Sequence, residues 1–306
     1  MIGDDFQQTN SEGSNGYQAK GDINITTTNT GITYTEARQI SIDLWHANAL
    51  QLSQEAGQLA QQRAEDLFEE FLAKITDKDP NLLNALRDPG MQMALYSAER
   101  DYAKTGDKDV SKMLIDILAE RAANQTRNLG QIALDESLTV VPKLTEEHLD
   151  ALTLSHYINW RRFTPIIELE DLGAVLESFY EPFIDSLVSQ SSCVQHLQYC
   201  NCATYVPGFT TTGNKRWYGL VNNVIQLAPA LFPKAPGQQS TEANATFMDK
   251  SKDLINHNWP FMEKLTNVYG NYMLDRIHPT TVGRVLAQAN RKRKTGASIS
   301  IIEGIV

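Results

Sequence analysis

The chain has 306 residues, of which 42% are hydrophobic and 21% charged, with a formal net charge of −10, and no apolar run approaches the roughly 18 residues a membrane span needs. Residues 1–160 carry 13 Lys and Arg against 25 Asp and Glu, whereas residues 161–306 carry 14 against 12; broad phosphate-backbone binding is excluded for the first part and only a local contact is open to the second. The three cysteines all fall between Cys193 and Cys202, too clustered for a secreted disulfide framework, so a cytoplasmic location is expected.

Residues 1–32 are rich in Gly, Asn and Thr, with Gly3-Asp4, Gly13-Ser14, Gly16 and Gly21-Asp22 punctuating short polar runs that end in Ile23-Asn24-Ile25. Turn pairs and the two-residue alternation of Ile23 and Ile25 read as short β-arcs. Such arcs bury too little apolar surface to stand alone, and they become stable when copies from several chains stack edge to edge. A disordered polar tail is the other reading of the same composition.

Thr33-Tyr34-Thr35-Glu36 fits a capping box and starts a helix. Ile40, Leu44, Ala47, Leu52, Ala56, Leu59, Ala60, Leu67, Phe71 and Ile75 then recur at three- and four-residue spacing, which predicts a rod of about forty residues. A periodic run this long suits coiled-coil or bundle packing, and it suits folding back on the following helices equally well. Asp79-Pro80 breaks the rod. Two more helices are predicted over 81–104, interrupted at Asp88-Pro89-Gly90, and over 109–141, so the region 33–142 reads as a helical domain.

Leu144-Thr145-Glu146-Glu147 starts the next helix, a further helical run extends from Leu169 past Pro182 to Tyr199, and 202–206 reads as a short strand. Residues 206–272 form a long insert, with 232–246 as its most loop-like part. Leu274 to Ile277, a helix over 279–294 stopped by Gly296, and a final strand over 298–302 complete the chain. Together these elements predict a mainly α protein: a long-helix bundle, then a winged-helix-like α+β module over 143–306 with the insert as an enlarged wing, preceded by the short amino-terminal β segment.

The run Leu144-Thr145-Glu146-Glu147-His148-Leu149-Asp150-Ala151-Leu152, the stretch from Leu187-Val188 to His196-Leu197-Gln198-Tyr199, and His278-Pro279-Thr280-Thr281-Val282-Gly283-Arg284 resemble the Abi-alpha (abortive-infection alpha) type of bacterial protein. The segment Gln18-Ala19-Lys20-Gly21-Asp22-Ile23-Asn24-Ile25 is similar to short β-solenoid signalling motifs attached to immune-type proteins. The resemblance implies an antiviral, anti-phage role and supplies no site residues. The long helix and the wide insert depart from a simple Abi-alpha domain.

Cys193, His196, Cys200 and Cys202 offer four zinc-type ligands within ten residues; such sites usually draw two ligands from a distant segment, and buried cysteine packs as a small hydrophobe, so core packing is the competing and favoured reading. Arg284 and the run Arg291, Lys292, Arg293 and Lys294 make a basic helix end that suits phosphate contact, or that meets the acidic first half of the same chain or of a neighbour. His148, His156 and Glu147 share a helix and offer acid–base groups or a solvated face. Trp217-Tyr218, Trp259-Pro260-Phe261, Tyr269 and Tyr272 supply aromatic area for a partner or for the core. No phosphate loop, dinucleotide fingerprint, nucleophile elbow or His-Glu-x-x-His occurs.

The sequence therefore points to a homo-oligomer assembled through Ile23, Ile25, Leu44, Leu52 and Leu59, non-enzymatic and without a cofactor, that receives a phage or host protein through its carboxy-terminal module. An effector enzyme or toxin with a dispersed site, and a DNA-binding regulator, are the alternatives.

Overall fold

In the computed structural model the described residues are 34–159, 166–188, 192–206, 217–233 and 241–302. The β-arcs expected over 1–32, with Ile23 and Ile25, lie outside them. The chain divides into two units, Met1–Ala56 and Gly57–Val306, and the boundary falls inside the first helix.

That helix, α1 (Tyr34–Lys78), spans 45 residues, as the apolar spacing predicts. Within it Ser53 through Leu59 are exposed. Burial sets in further on, where Leu67, Phe71 and Ile75, four residues apart, are each 0% exposed. Side chains at this spacing stand on one face, and burying each contributes about 1.5–3 kcal/mol.

Asp79 accepts the Asn81 N–H and Pro80 occupies the first position of a 3-10 turn, Pro80–Arg87; Asp88 then accepts the Met91 N–H to open α2 (Pro89–Thr105). Both breaks follow from a capping carboxylate followed by proline, whose missing N–H costs nothing at a helix start. Gly106 ends α2 with φ 64°, and a Cβ there would collide with the Arg63 guanidinium, which itself donates to the Ala103 carbonyl at 3.0 Å. Only glycine combines that backbone angle with that clearance.

The single helix expected over 109–141 is two: α3 (Lys108–Ala123) and α4 (Leu129–Val140). Asn124 and Asn128 cause the break. Their side chains hydrogen-bond each other, and Asn128 Oδ1 accepts the Gln131 N–H at 2.9 Å to cap α4. In α5 (Glu146–Asn159) every residue from Leu149 to Ile158 is buried, so this helix is enclosed on all sides. Next come α6 (Leu169–Phe179), a 3-10 turn Glu181–Phe183, and α7 (Ser192–Tyr199).

Strand β1 (Ala203–Tyr205) pairs antiparallel with β2 (Ile277–Pro279), Ala203 facing Pro279 and Tyr205 facing Ile277. The insert between them is helical among its described residues: α8 (Tyr218–Leu227), α9 (Thr241–Asn258) and α10 (Phe261–Tyr272). In α8 the pattern Leu220, Val221, Val224, Ile225 is buried, a helical stripe rather than the alternation of a wing. The strand expected over 298–302 is not one. Ile301 is buried instead, and Ser300 donates to Glu120, so this segment packs by side chains rather than by a ladder.

Helix α11 (Thr281–Thr295) closes the second unit. It packs against α3 and α4 as well as α5, so the junction expected at 142/143 falls inside one shared core. The protein is mainly helical, with one small two-stranded sheet among its described residues.

Candidate functional site

Thr280 sets the start of α11. Its Oγ1 accepts the Gly283 N–H at 3.2 Å and donates to the Asn201 carbonyl at 2.8 Å, tying the helix to the turn before β1. A Cβ on Gly283 would run into the Cys202 carbonyl oxygen, so the helix lies against the strand only because this residue has no side chain. Gly296, with φ 66°, ends α11 as the sequence indicates, and its N–H reaches the Lys292 carbonyl.

The basic run at this helix end faces the protein's own carboxylates. Arg293 contacts Glu146 at 2.7 Å and Asp109 at 3.3 Å, and its side chain is only 6% exposed. Lys294 lies 2.6 Å from both Glu146 and Asp150. Lys292 lies 2.8 Å from Asp116, an oxygen shared at the same distance with Lys74 of α1. Arg291 stacks on Phe179, 3.9 Å from the ring centre, and over Tyr157. Arg284 is half-buried. Arg291 to Lys294 are therefore stacked on rings or paired with carboxylates, a geometry that also satisfies the α11 carboxy-terminal dipole.

Asp150 is the most enclosed member of this network, at 0% exposure. It accepts from Ser186, Asn290 and Lys294 at 2.6–2.9 Å. Burial pushes its carboxyl above the usual range, against the pull of those three partners. The arrangement locks α5, α11 and the segment after α6 together.

Beside the network, α1, α3 and α11 enclose a cleft of about 490 Å³ faced by Glu70, Lys74, Lys112, Asp116, Lys292 and Arg293. It lies wholly within the second unit, and six of its nine lining residues are charged, the others being Ala73, Ile115 and Gly296. No single element of the sequence signals it, because its cations come from three segments.

Of the zinc-type ligands, Cys193, Cys200 and Cys202 are buried and free. Burial holds the thiols of Cys193 and Cys202 at about 12, so they sit in the core as neutral hydrophobes. His196 donates Nε2–H to the Lys143 carbonyl at 2.8 Å and stands 3.5 Å from Cys200 Sγ. No group of three or more His, Cys, Asp or Glu suited to a metal occurs among the described residues.

His148 and His156 do not converge. His156 is buried, whereas His148 accepts the Thr145 N–H at 3.1 Å, closing the start of α5, and its ring packs 4.6 Å from that of His196. Burial, then the neighbouring His196, lowers the His148 pKa. Glu147 is engaged by the Tyr272 hydroxyl. Trp259, Tyr269 and Tyr272 are buried, and Trp217 and Tyr218 half-buried, so this aromatic area belongs mainly to the core. Of the residues expected to assemble copies, Leu59 is 47% exposed; the side chains of Leu44 and Leu52, like Ile23 and Ile25, lie outside the described residues.

These features define a helical protein whose basic helix end meets carboxylates of its own chain, Lys292 sharing one Asp116 oxygen with Lys74. A protein-family model described as "-like" matches residues 31–229, well over half of the chain, and the chain belongs to that family, which is of unknown function. The match takes in α1 to α8 and stops before α9, α10 and α11. No curated protein and no solved structure matches the chain.

Proposed function

We propose that the protein is a self-assembling, non-enzymatic scaffold or sensor of the bacterial anti-phage type. Residues 1–32 and the amino-terminal part of α1 gather several copies, and the carboxy-terminal module, winged-helix-like in its order of helices, short ladder and last helix, receives a phage or host protein. The anti-phage assignment rests on the Abi-alpha resemblance. The observation that carries the assembly is the stretch Ser53 to Leu59, helical and exposed throughout, with Leu59 at 47%. Helices draw most of their stability from packing an apolar stripe, and Leu52, Ala56 and Leu59 keep the spacing of such a stripe. A second copy of the same helix, brought close by the segment before it, is the partner that completes the stripe.

The DNA-binding alternative draws less support, since Lys292, Arg293 and Lys294 each lie within ion-pair distance of a carboxylate of the same chain. The test is the solution mass of the full chain, of Leu59→Asp, and of Ile23→Asp with Ile25→Asp. An oligomer that dissociates in both variants is expected. An oligomer indifferent to both would overturn the proposal.

A further inference from the structure

Four cations and two carboxylates line the cleft between α1, α3 and α11, with Asp109 and Glu146 just outside the lining. Lys74, Lys112, Lys292 and Arg293 face it, against Glu70 and Asp116. Arg293 is fixed by Asp109 and Glu146 and acts as a wall. The two ammonium groups of Lys74 and Lys292 both stand 2.8 Å from one oxygen, Asp116 Oδ1. One carboxylate holds two like charges side by side, and they repel each other unless a further anion arrives.

The contacts at Asp116 are ion pairs without hydrogen-bond alignment, for Oδ1 has no hydrogen-bond partner although it is buried. An ammonium carries three N–H donors, so Lys74 and Lys292 keep donors that Asp116 does not use. Lys112, 62% exposed and 3.5 Å from Asp109, adds a third cation on a flexible stem at the edge. Lysine is the point-charge partner of phosphate, and a cleft of about 490 Å³ is within the range that holds small ligands.

We propose that this cleft binds a small phosphorylated molecule, its phosphate held by Lys74, Lys292 and Lys112. Asp116 prearranges the first two ammonium groups from below, and the rim carboxylate of Glu70 suits a remainder of the ligand that bears hydroxyl or amino donors. None of the residues that line the cleft is among those proposed to join copies, so the two proposals can fail separately.

The experiment is calorimetric titration of the full chain with pyrophosphate at low ionic strength, on the wild type, K74Q/K292Q, K112Q and K104Q. The last is a control, since Lys104 lies on α2 paired with Asp101. The wild type and K104Q should bind alike and saturably, with affinity lowered about tenfold or more in K74Q/K292Q and a few-fold in K112Q. Circular dichroism checks folding, and K112Q, which removes only an exposed side chain, decides the matter if the double variant does not fold. No saturable binding by the wild type, or binding as tight as the wild type's by K112Q or by a folded K74Q/K292Q, overturns the proposal.

Discussion

The stretch Ser53 to Leu59 of α1 and the carboxy-terminal end of α11 are both helical, and they are treated in opposite ways. At α11 each of Lys292, Arg293 and Lys294 meets a carboxylate from α3 or α5, and the helix is enclosed. Along Ser53 to Leu59 nothing is buried. The difference is between a helix end that packs against its own chain and a helical stretch that is exposed. Charge run and apolar stripe look equally available in the sequence, yet the charges are met within the chain while Ala56 and Leu59 are exposed.

Substitutions that strike the two regions should separate sharply. The largest effect is expected from Phe71→Ala, where α1 enters the core, which should lower stability by about 3–5 kcal/mol in chemical denaturation. Leu59→Ala, twelve residues earlier in the same helix, should stay within about 0.5 kcal/mol when folding is measured at a concentration where copies are apart. Equal effects would dissolve the contrast.

At the enclosed end, Asp150→Ala leaves Lys294 without its most buried partner and should cost about 3 kcal/mol, read from the same denaturation curves. Glu146 still faces Lys294 at 2.6 Å, which keeps the expected loss at the lower end for a buried pair. The Asn128→Ala change, at the cap that separates α3 from α4, should cost about 1 kcal/mol.

The smallest effect is a pH dependence. The His148 pKa is lowered on folding, so the unfolded chain binds its proton more readily than the folded one, and stability must fall as pH drops below the unfolded value of about 6.5. Protonation also removes the acceptor that holds the Thr145 N–H. Melting temperatures measured between neutral pH and about pH 5.5 should drop more steeply for the wild type than for His148→Gln. Parallel curves would remove His148 from the account.

Much of the fold is legible in the sequence, because helix starts and stops are local. Asp79-Pro80, Asp88-Pro89, Thr145 and Gly296 each mark a boundary the structure keeps. The α3/α4 break is harder to read, since Asn124 and Asn128 act through side chains that meet only once both helices have formed. Helix α8 is only ten residues long and holds no proline, so its stripe of Leu220, Val221, Val224 and Ile225 is present in the spacing but short. The charged site was the least legible. Lys294 and Asp150 are separated by 144 positions, and the cleft draws cations from three helices; the sequence supplies the charges, and only the packing of α5 and α11 decides which of them meet.

The central claim is the proposal that the exposed stretch Ser53 to Leu59 of α1 is covered by other copies of the chain. Sedimentation of the full chain and of the chain lacking residues 1–30, each with and without Leu59→Asp, tests it most directly. The account predicts an oligomer of several chains for the full protein, a smaller species for either change alone, and a monomer when both are combined. A full chain that sediments as a monomer at micromolar concentration, or an oligomer that survives both changes, would contradict it.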